Sequence, residues 1–375
     1  MSAKHGLTRS SIRMIAAVAT IALLGSALFA SVASAKKAAP TPTAYLALGD
    51  SLSFGYKAVT FNENKAAHKA NCEAAIVAAE KGETAVAKEQ DALCEPTASF
   101  EPGFVGLFGK KLASTEKKAG NALTTVNLGC PGETSDGLIG HTFGGEGAEY
   151  NPCAYHDFLP GAAGYPLKTE IGTASELEAA LSLIGSKADG AVTAVSLQIG
   201  SNDELGVVAK CENPAYDAEH GFMSLTACIE HEAGPEGYAY SGGLFKHILT
   251  NIGVTIGVLR EAGKYTGKVL LIGFYNPDAQ LLPGSDALDK ILNEALESTI
   301  SKGEYGPGVE LAQPFAVINP EAALFTEGET SKEHEKKEAK EHKALCKYTE
   351  ICAHNDIHPT EKGYKAIAKL MTEAF

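Results

Sequence analysis

Four short polar stretches carry residue types that together could move an acyl group. Gly49-Asp50-Ser51-Leu52-Ser53 offers a serine hydroxyl, and Asn127 through Ser135 offers glycines whose backbone N–H groups are free to face an anion. Gly200-Ser201-Asn202-Asp203 offers a side-chain amide, and Asp356-Ile357-His358-Pro359 an imidazole with a carboxylate two residues before it. Acyl transfer needs a nucleophile, a base and hydrogen-bond donors for an oxyanion, and these stretches supply all three types. Each also has a plainer reading when taken alone: a serine that caps a helix, a turn glycine at 132, an asparagine at 202 that braces a loop. Their shared placement shifts the balance. Each follows a strand, so a parallel sheet would bring all four to one edge, where open α/β sheets bind ligands.

The elements that would hold them are readable as alternating strands and helices. Tyr45-Leu46-Ala47-Leu48 is an apolar run that stops at the Gly-Asp-Ser corner, which predicts a buried strand delivering Ser51 to the sheet end. Residues 122–128, 191–199, 268–274 and 315–318 are the next four predicted strands. Helices are predicted over 104–112, from the Ser175/Glu178 capping box through 184, over 244–259 and 286–300, and from Glu361 to the C-terminus. Strand and helix in alternation predict a three-layer α/β/α sandwich around a five-stranded parallel sheet. Helical insertions interrupt it at about 62–95, 205–240 and 327–345. The first is an Ala/Glu/Lys-rich α-hairpin pattern that breaks at Gly82 and could roof the serine. The stretch 327–343 is almost wholly Glu, Lys and His, the pattern of a solvated helix or mobile loop, and its His334 and His342 read as surface residues.

The N-terminus is set apart from that domain. Lys4, Arg9 and Arg13 precede an apolar run from Met14 to Ala30, and Ala33-Ser34-Ala35 has the small-residue pattern of a cleavage site. Residues 1–35 are therefore predicted to be a signal peptide cut after Ala35, with an uncleaved membrane anchor as the alternative. Residues 36–43 read as a tether and 44–375 as one domain. Losing Lys4, Arg9 and Arg13 takes the net charge from −14 to −17, a value that repels nucleic acid and anionic lipid surfaces. Eight cysteines in an exported chain predict disulfides, paired here as neighbours: Cys72–Cys94, Cys130–Cys153, Cys211–Cys228 and Cys346–Cys352. Zinc is the competing use of cysteine, but no CxxC pair supports it.

Taken in order from residue 45 to 375, the four stretches resemble the blocks of the SGNH, or GDSL, hydrolase family, named for Ser, Gly, Asn and His. The resemblance implies a flavodoxin-like sandwich and a secreted serine esterase or lipase, and the chain is expected to be a monomer. It implies Ser51 as nucleophile, His358 as base, and the Ser51 N–H, Gly132 N–H and Asn202 amide as oxyanion donors. No metal or organic cofactor is implied, and the partner is a small-molecule or lipid ester rather than nucleic acid or a membrane span. The sequence departs from the family pattern at the third triad member. The usual aspartate three residues before the histidine is Asn355 here, so Asp356, Asn355 or a backbone carbonyl is left to orient His358, with Asp356 preferred. Asn355 also keeps open a non-catalytic binding role, beside a carbohydrate or cell-wall O-acyl esterase or transferase. The motif is not the Gly-x-Ser-x-Gly elbow of α/β-hydrolases, because Ser53 follows Leu52. Trp is absent, which removes a tryptophan platform for sugars.

Overall fold

The structure is a computed structural model and describes residues 39–63, 77, 81, 101–140, 175–187, 190–237, 240, 242–277, 279, 285–320 and 329–375. The predicted signal peptide, nearly all of the 62–95 hairpin, and Cys72, Cys94 and Cys153 lie outside these residues.

Strand β1 (Thr41–Gly49) leads into a one-turn helix, α1 (Ser51–Phe54), followed by α2 (Phe104–Lys118), β2 (Asn121–Asn127), α3 (Ser135–Leu138) and α4 (Glu176–Ser186). Then come β3 (Ala191–Gln198), α5 (Ser201–Cys211), α6 (Pro214–His220), α7 (Leu225–Ala233) and α8 (Leu244–Glu261). The chain closes with β4 (Lys268–Ile272), α9 (Ser285–Ser301), β5 (Val309–Ala312), α10 (Phe315–Ile318), α11 (Ser331–Tyr348), α12 (Ile351–His354) and α13 (Glu361–Ala374). The sheet is parallel throughout, in the order β2-β1-β3-β4-β5. The chain leaves β1 toward β2, then crosses back to β3 on the other side, so β1 and β3 flank the switch point where such sheets bind ligands.

Period-two alternation explains the three layers. In β1, Leu46 and Leu48 join Val195, Leu197, Val269 and Leu271 on one face, under helices carrying Leu177, Ile248, Ile256 and Leu296. Tyr45 and Ala47 face the other way with Ala194, Leu270 and Ile272, against Phe104, Phe108, Tyr364, Ile367 and Met371. A strand buried on both faces reads as a continuous apolar run, and that is why residues 45–48 lack a polar alternate. Tyr45 keeps its hydroxyl satisfied there by bonding to Ser196 Oγ at 2.7 Å.

Two expectations need correction. The fifth strand is β5 at Val309–Ala312, not 315–318, which forms α10. Pro314 lacks the N–H that would extend the ladder, and its carbonyl instead accepts from Val317 and Ile318 to start a helical turn. The residues 41–43 assigned to the tether are strand, paired in register with 121–123. Of the two forms expected for the charged stretch near the C-terminus, the structure has the helix, α11. Thr330 and Glu333 form its capping box, and Leu345 and Glu341 are buried, with Glu341 accepting from Asn319 Nδ2 at 3.0 Å. His334 lies beside Glu338 and Glu329 on its surface.

Two of the expected disulfides fall within the described residues, and both are present: Cys211–Cys228, between α5 and α7, and Cys346–Cys352, between α11 and α12. Cys130 is disulfide-bonded, and its expected partner Cys153 is outside the described set. Among the described residues no helix is long and apolar enough to cross a membrane.

Candidate active site

Ser51 opens α1 directly beyond the carboxyl end of β1. Gly49 makes the corner with φ +132°, and a Cβ there would run into the Gln198 carbonyl of the neighbouring strand, so only glycine fits. Asp50 is the N-cap, its Oδ1 accepting the Leu52 N–H at 2.8 Å, and Ser53 Oγ donates back to the Leu48 carbonyl at 2.9 Å. These bonds fix the backbone on either side of the serine and leave its own hydroxyl free for another partner.

That partner comes from the far end of the chain. Ser51 Oγ lies 2.8 Å from His358 Nε2, and His358 Nδ1 lies 2.5 Å from Asp356 Oδ1. An ionised carboxylate only accepts, so Nδ1 carries the ring proton and Nε2 is left to accept from the serine hydroxyl. Asp356 Oδ1 also accepts the His358 main-chain N–H at 3.1 Å, and its Oδ2 accepts the Ala58 N–H at 2.9 Å. Burial works to raise this carboxyl, but His358 and the two N–H donors outweigh it and hold the group below the usual carboxylate range. Asn355 sits elsewhere. It ends α12 in the left-handed conformation, φ +52°, and is exposed. Asp356, and not Asn355, therefore lies against the imidazole.

Tyrosines that the sequence did not single out set the histidine loop. The Tyr56 ring packs on His358 with centroids 4.6 Å apart, Tyr275 Oη donates to the Ile357 carbonyl at 2.8 Å, and Tyr364 Oη donates to the Tyr56 carbonyl at 2.7 Å. They carry no motif, and only Tyr56's closeness to Ser51 in sequence offered a hint.

The donor side is assembled from two loops. Asn202, in the first turn of α5, lines the same cleft as Ser51 and His358. Its Nδ2 donates one proton to the Glu133 carbonyl at 2.8 Å, which leaves the second N–H of that amide. Gly132 sits in the turn just before Glu133 with φ +87°, half-buried, and is not among the residues lining the cleft. Gly129 serves packing instead, since a Cβ there would meet the Ser53–Phe54 backbone. The loop is tied to α5 a second time: Asp203 accepts the Ser135 N–H at 2.8 Å and the Ser135 hydroxyl at 2.7 Å. Asn251 of α8 donates to Ser135 Oγ at 2.9 Å, and His247 Nε2 lies 3.0 Å from Asp136 Oδ1.

Buried carboxyls behind the serine complete the electrostatics. Glu176 Oε1 accepts the Gly49 N–H at 2.6 Å, and Glu133 Oε1 accepts the Thr134 N–H at 3.0 Å. Burial pushes Asp50 up to about 7, Glu133 to about 8 and Asp203 to about 6, and it raises Glu176 well above its ordinary value. Mutual repulsion adds to the shift at Glu176, where Glu133 and Asp50 are near. Among the described residues, the only group of metal-ligand type is His342 with Cys346 and Cys352, and those two cysteines are already joined to each other.

A parallel α/β sandwich with a hydrogen-bonded Ser-His-Asp chain at its carboxyl edge defines a class of site suited to acyl transfer. No family model matches the chain, and no curated protein does. Solved structures similar to it include a member of the lipolytic protein G-D-S-L family from Veillonella parvula, at 11% identity and TM-score 0.38, over 89% of this chain and 98% of that one. An acetylxylan esterase from Geobacillus stearothermophilus follows at 10% identity and TM-score 0.41, over 89% and 94%. TesA is similar at 14% identity and TM-score 0.35, over 88% and 96%. The functional reading rests on this chain's own residues.

Proposed function

We propose that this protein is a secreted serine esterase or lipase of the SGNH type that hydrolyses carboxylic esters through an acyl-enzyme. The observation that carries the reading is the continuous chain Ser51 Oγ–His358–Asp356, with links of 2.8 and 2.5 Å. In this reading His358 Nε2 takes the Ser51 proton as Oγ attacks the ester carbonyl carbon, and the carbonyl π electrons move to oxygen. The Ser51 N–H, the Gly132 N–H and the remaining Asn202 N–H stabilise that oxyanion. Collapse breaks the bond to the alcohol, which leaves with the proton from Nε2. Water then repeats the cycle on the acyl-enzyme: Nε2 takes its proton, hydroxide adds to the acyl carbon, and Ser51 leaves reprotonated with release of the acid. Asp356 holds the imidazole in the needed tautomer and balances its charge when it is protonated.

Asn355, the one residue that favoured a binding module, is exposed, and it is Asp356 whose carboxylate bonds the imidazole, which supports the catalytic reading. Disulfides at 211–228 and 346–352 suit export, and the signal-peptide reading of residues 1–35 completes it. The test is fluorophosphonate labelling of the folded mature protein with peptide mapping. A single adduct on Ser51 that disappears in His358→Ala is expected, and no adduct on folded protein would sink the proposal.

A further inference from the structure

The cleft that begins at Ser51 does not end there. Its outline takes in about 1080 Å³ with open solvent included, and its lining is mixed. Ser51, Asn202 and His358 line it. Its walls also include Leu205 and Val208 of α5, Ile229 and Ala233 of α7, Phe245 of α8 and Leu288 of α9, with Glu204, Glu230 and Asp289 among them. Asn202, Leu205 and Val208 are spaced three apart and so fall on one face of α5. A single helix thus presents the amide next to the serine and the start of the apolar wall. The facing wall, α7, belongs to the insertion at 205–240, and the Cys211–Cys228 disulfide fixes it to the end of α5.

We propose that this cleft is an acyl-chain site built by the insertion, and that the substrates are esters of uncharged acyl groups of roughly octanoyl length rather than acetyl esters. The proposal rests on the acyl-enzyme reading of Ser51. Of the two halves of an ester, only the acyl group stays bonded through both steps, so an enclosed apolar wall next to the serine is used throughout by that half. The alcohol must leave, and water must enter, by the open side. Glu204 on the wall is held well above the usual carboxylate range, first by removal from water and then by the charge of Asp289, a shift that favours its uncharged form beside an apolar occupant.

The test is kcat/KM for p-nitrophenyl acetate, butyrate and octanoate, run beside fluorophosphonate labelling of Ser51. Each buried methylene is worth about fourfold, so burial of only three or four of the six that octanoate adds to acetate should favour octanoate by about 100-fold. Filling the cleft in Ile229→Trp, and independently in Val208→Trp, should lower the octanoate-to-acetate ratio at least about tenfold. The ratio separates a blocked chain site from general damage, which lowers both rates together. A flat series, or acetate preferred, on protein that labels at Ser51 overturns the acyl site and leaves the esterase reading standing. So does faster turnover of octyl acetate than of p-nitrophenyl octanoate, or a wild-type preference that neither tryptophan alters. Failure to label folded protein overturns the esterase reading and this inference with it.

Discussion

Replacing Asp356 with asparagine should cost about three to four orders of magnitude in kcat, and the hydrogen bonds show why an isosteric change is so damaging. Oδ1 accepts from two donors, the His358 ring Nδ1–H and main-chain N–H, and Oδ2 accepts from a third, the Ala58 N–H. An amide has only one oxygen for these three. With its oxygen toward the histidine, its NH2 faces the Ala58 N–H, donor against donor. With the amide reversed, NH2 faces the ring, and Nδ1 must become the acceptor. The proton then sits on Nε2, pointing at Ser51, and the ring is no longer a base. The lost charge alone matters at a comparable scale. At an effective dielectric near 20 and about 4 Å between charge centres, imidazolium and carboxylate attract by about 4 kcal/mol, or about 10³ in rate. The tautomer error brings the total to the roughly 10⁴ seen when a serine protease aspartate is so changed. The assay is kcat and KM on a p-nitrophenyl ester across about pH 5 to 9, with thermal melting as a fold check, and Asn355→Ala as the control, expected within about threefold. Asp356→Asn retaining more than a tenth of wild-type kcat, or Asn355→Ala falling as far, would refute the assignment.

Asn202→Ala should lower kcat by about 10² to 10³ with little change in KM, because its free N–H serves the oxyanion and not the ground state; steady-state kinetics decide it, and an unchanged kcat counts against the role. Asp203→Ala leaves the Ser135 N–H and hydroxyl without their acceptor, so it should destabilise by about 2 to 3 kcal/mol in urea unfolding and lower kcat as the Glu133 loop loosens. Stability should fall as pH rises. Asp50, Glu133 and Asp203 are raised to about 7, 8 and 6 in the fold, against ordinary values near 4, so the folded state holds more protons and loses that advantage between about pH 4 and 8; a urea midpoint at pH 8 equal to or above that at pH 5 contradicts it. Replacing both cysteines of a bridge with serine should cost about 3 kcal/mol for Cys211–Cys228, which closes 17 residues, and about 2 for Cys346–Cys352, which closes 6, and the reverse order by denaturant melts would contradict the loop-entropy account.

The chemistry-bearing stretches were legible because each follows a structural rule that needs no partner. An apolar run ending in Gly-Asp-Ser announces a strand that stops at a turn, and Gly200-Ser201-Asn202-Asp203 does the same after β3. The choice between Asp356 and Asn355 was not legible, since spacing does not say which of two adjacent residues turns outward. That is decided by Asn355 taking the left-handed position that ends α12. The fifth strand was misplaced for a similar reason. Phe315-Ala316-Val317-Ile318 is more apolar than Val309-Glu310-Leu311-Ala312, but Pro314 bars it from the ladder, and an edge strand tolerates the half-exposed Glu310. Glu176 is an acid in the first turn of α4. Nothing local reveals that it reaches across to the Gly49 N–H.

That last contact points to how the site is kept in shape. The two loops that carry Ser51 and Gly132 have backbone N–H groups turned inward at Gly49, Leu52, Thr134 and Ser135, where a sheet ladder cannot reach them. Each is met by a buried carboxyl: Glu176, Asp50, Glu133 and Asp203 respectively. A neutral acceptor would satisfy an N–H as well, but a carboxyl bonds it more strongly and can change charge in place. Four such groups could not all be ionised so close together and so far from water, and their raised pKa values express that conflict. Protonation relieves the repulsion without giving up the acceptor oxygen, so the loops stay held as pH falls. As pH rises the carboxyls ionise against one another, and the loops that they hold around Ser51 and Gly132 should loosen.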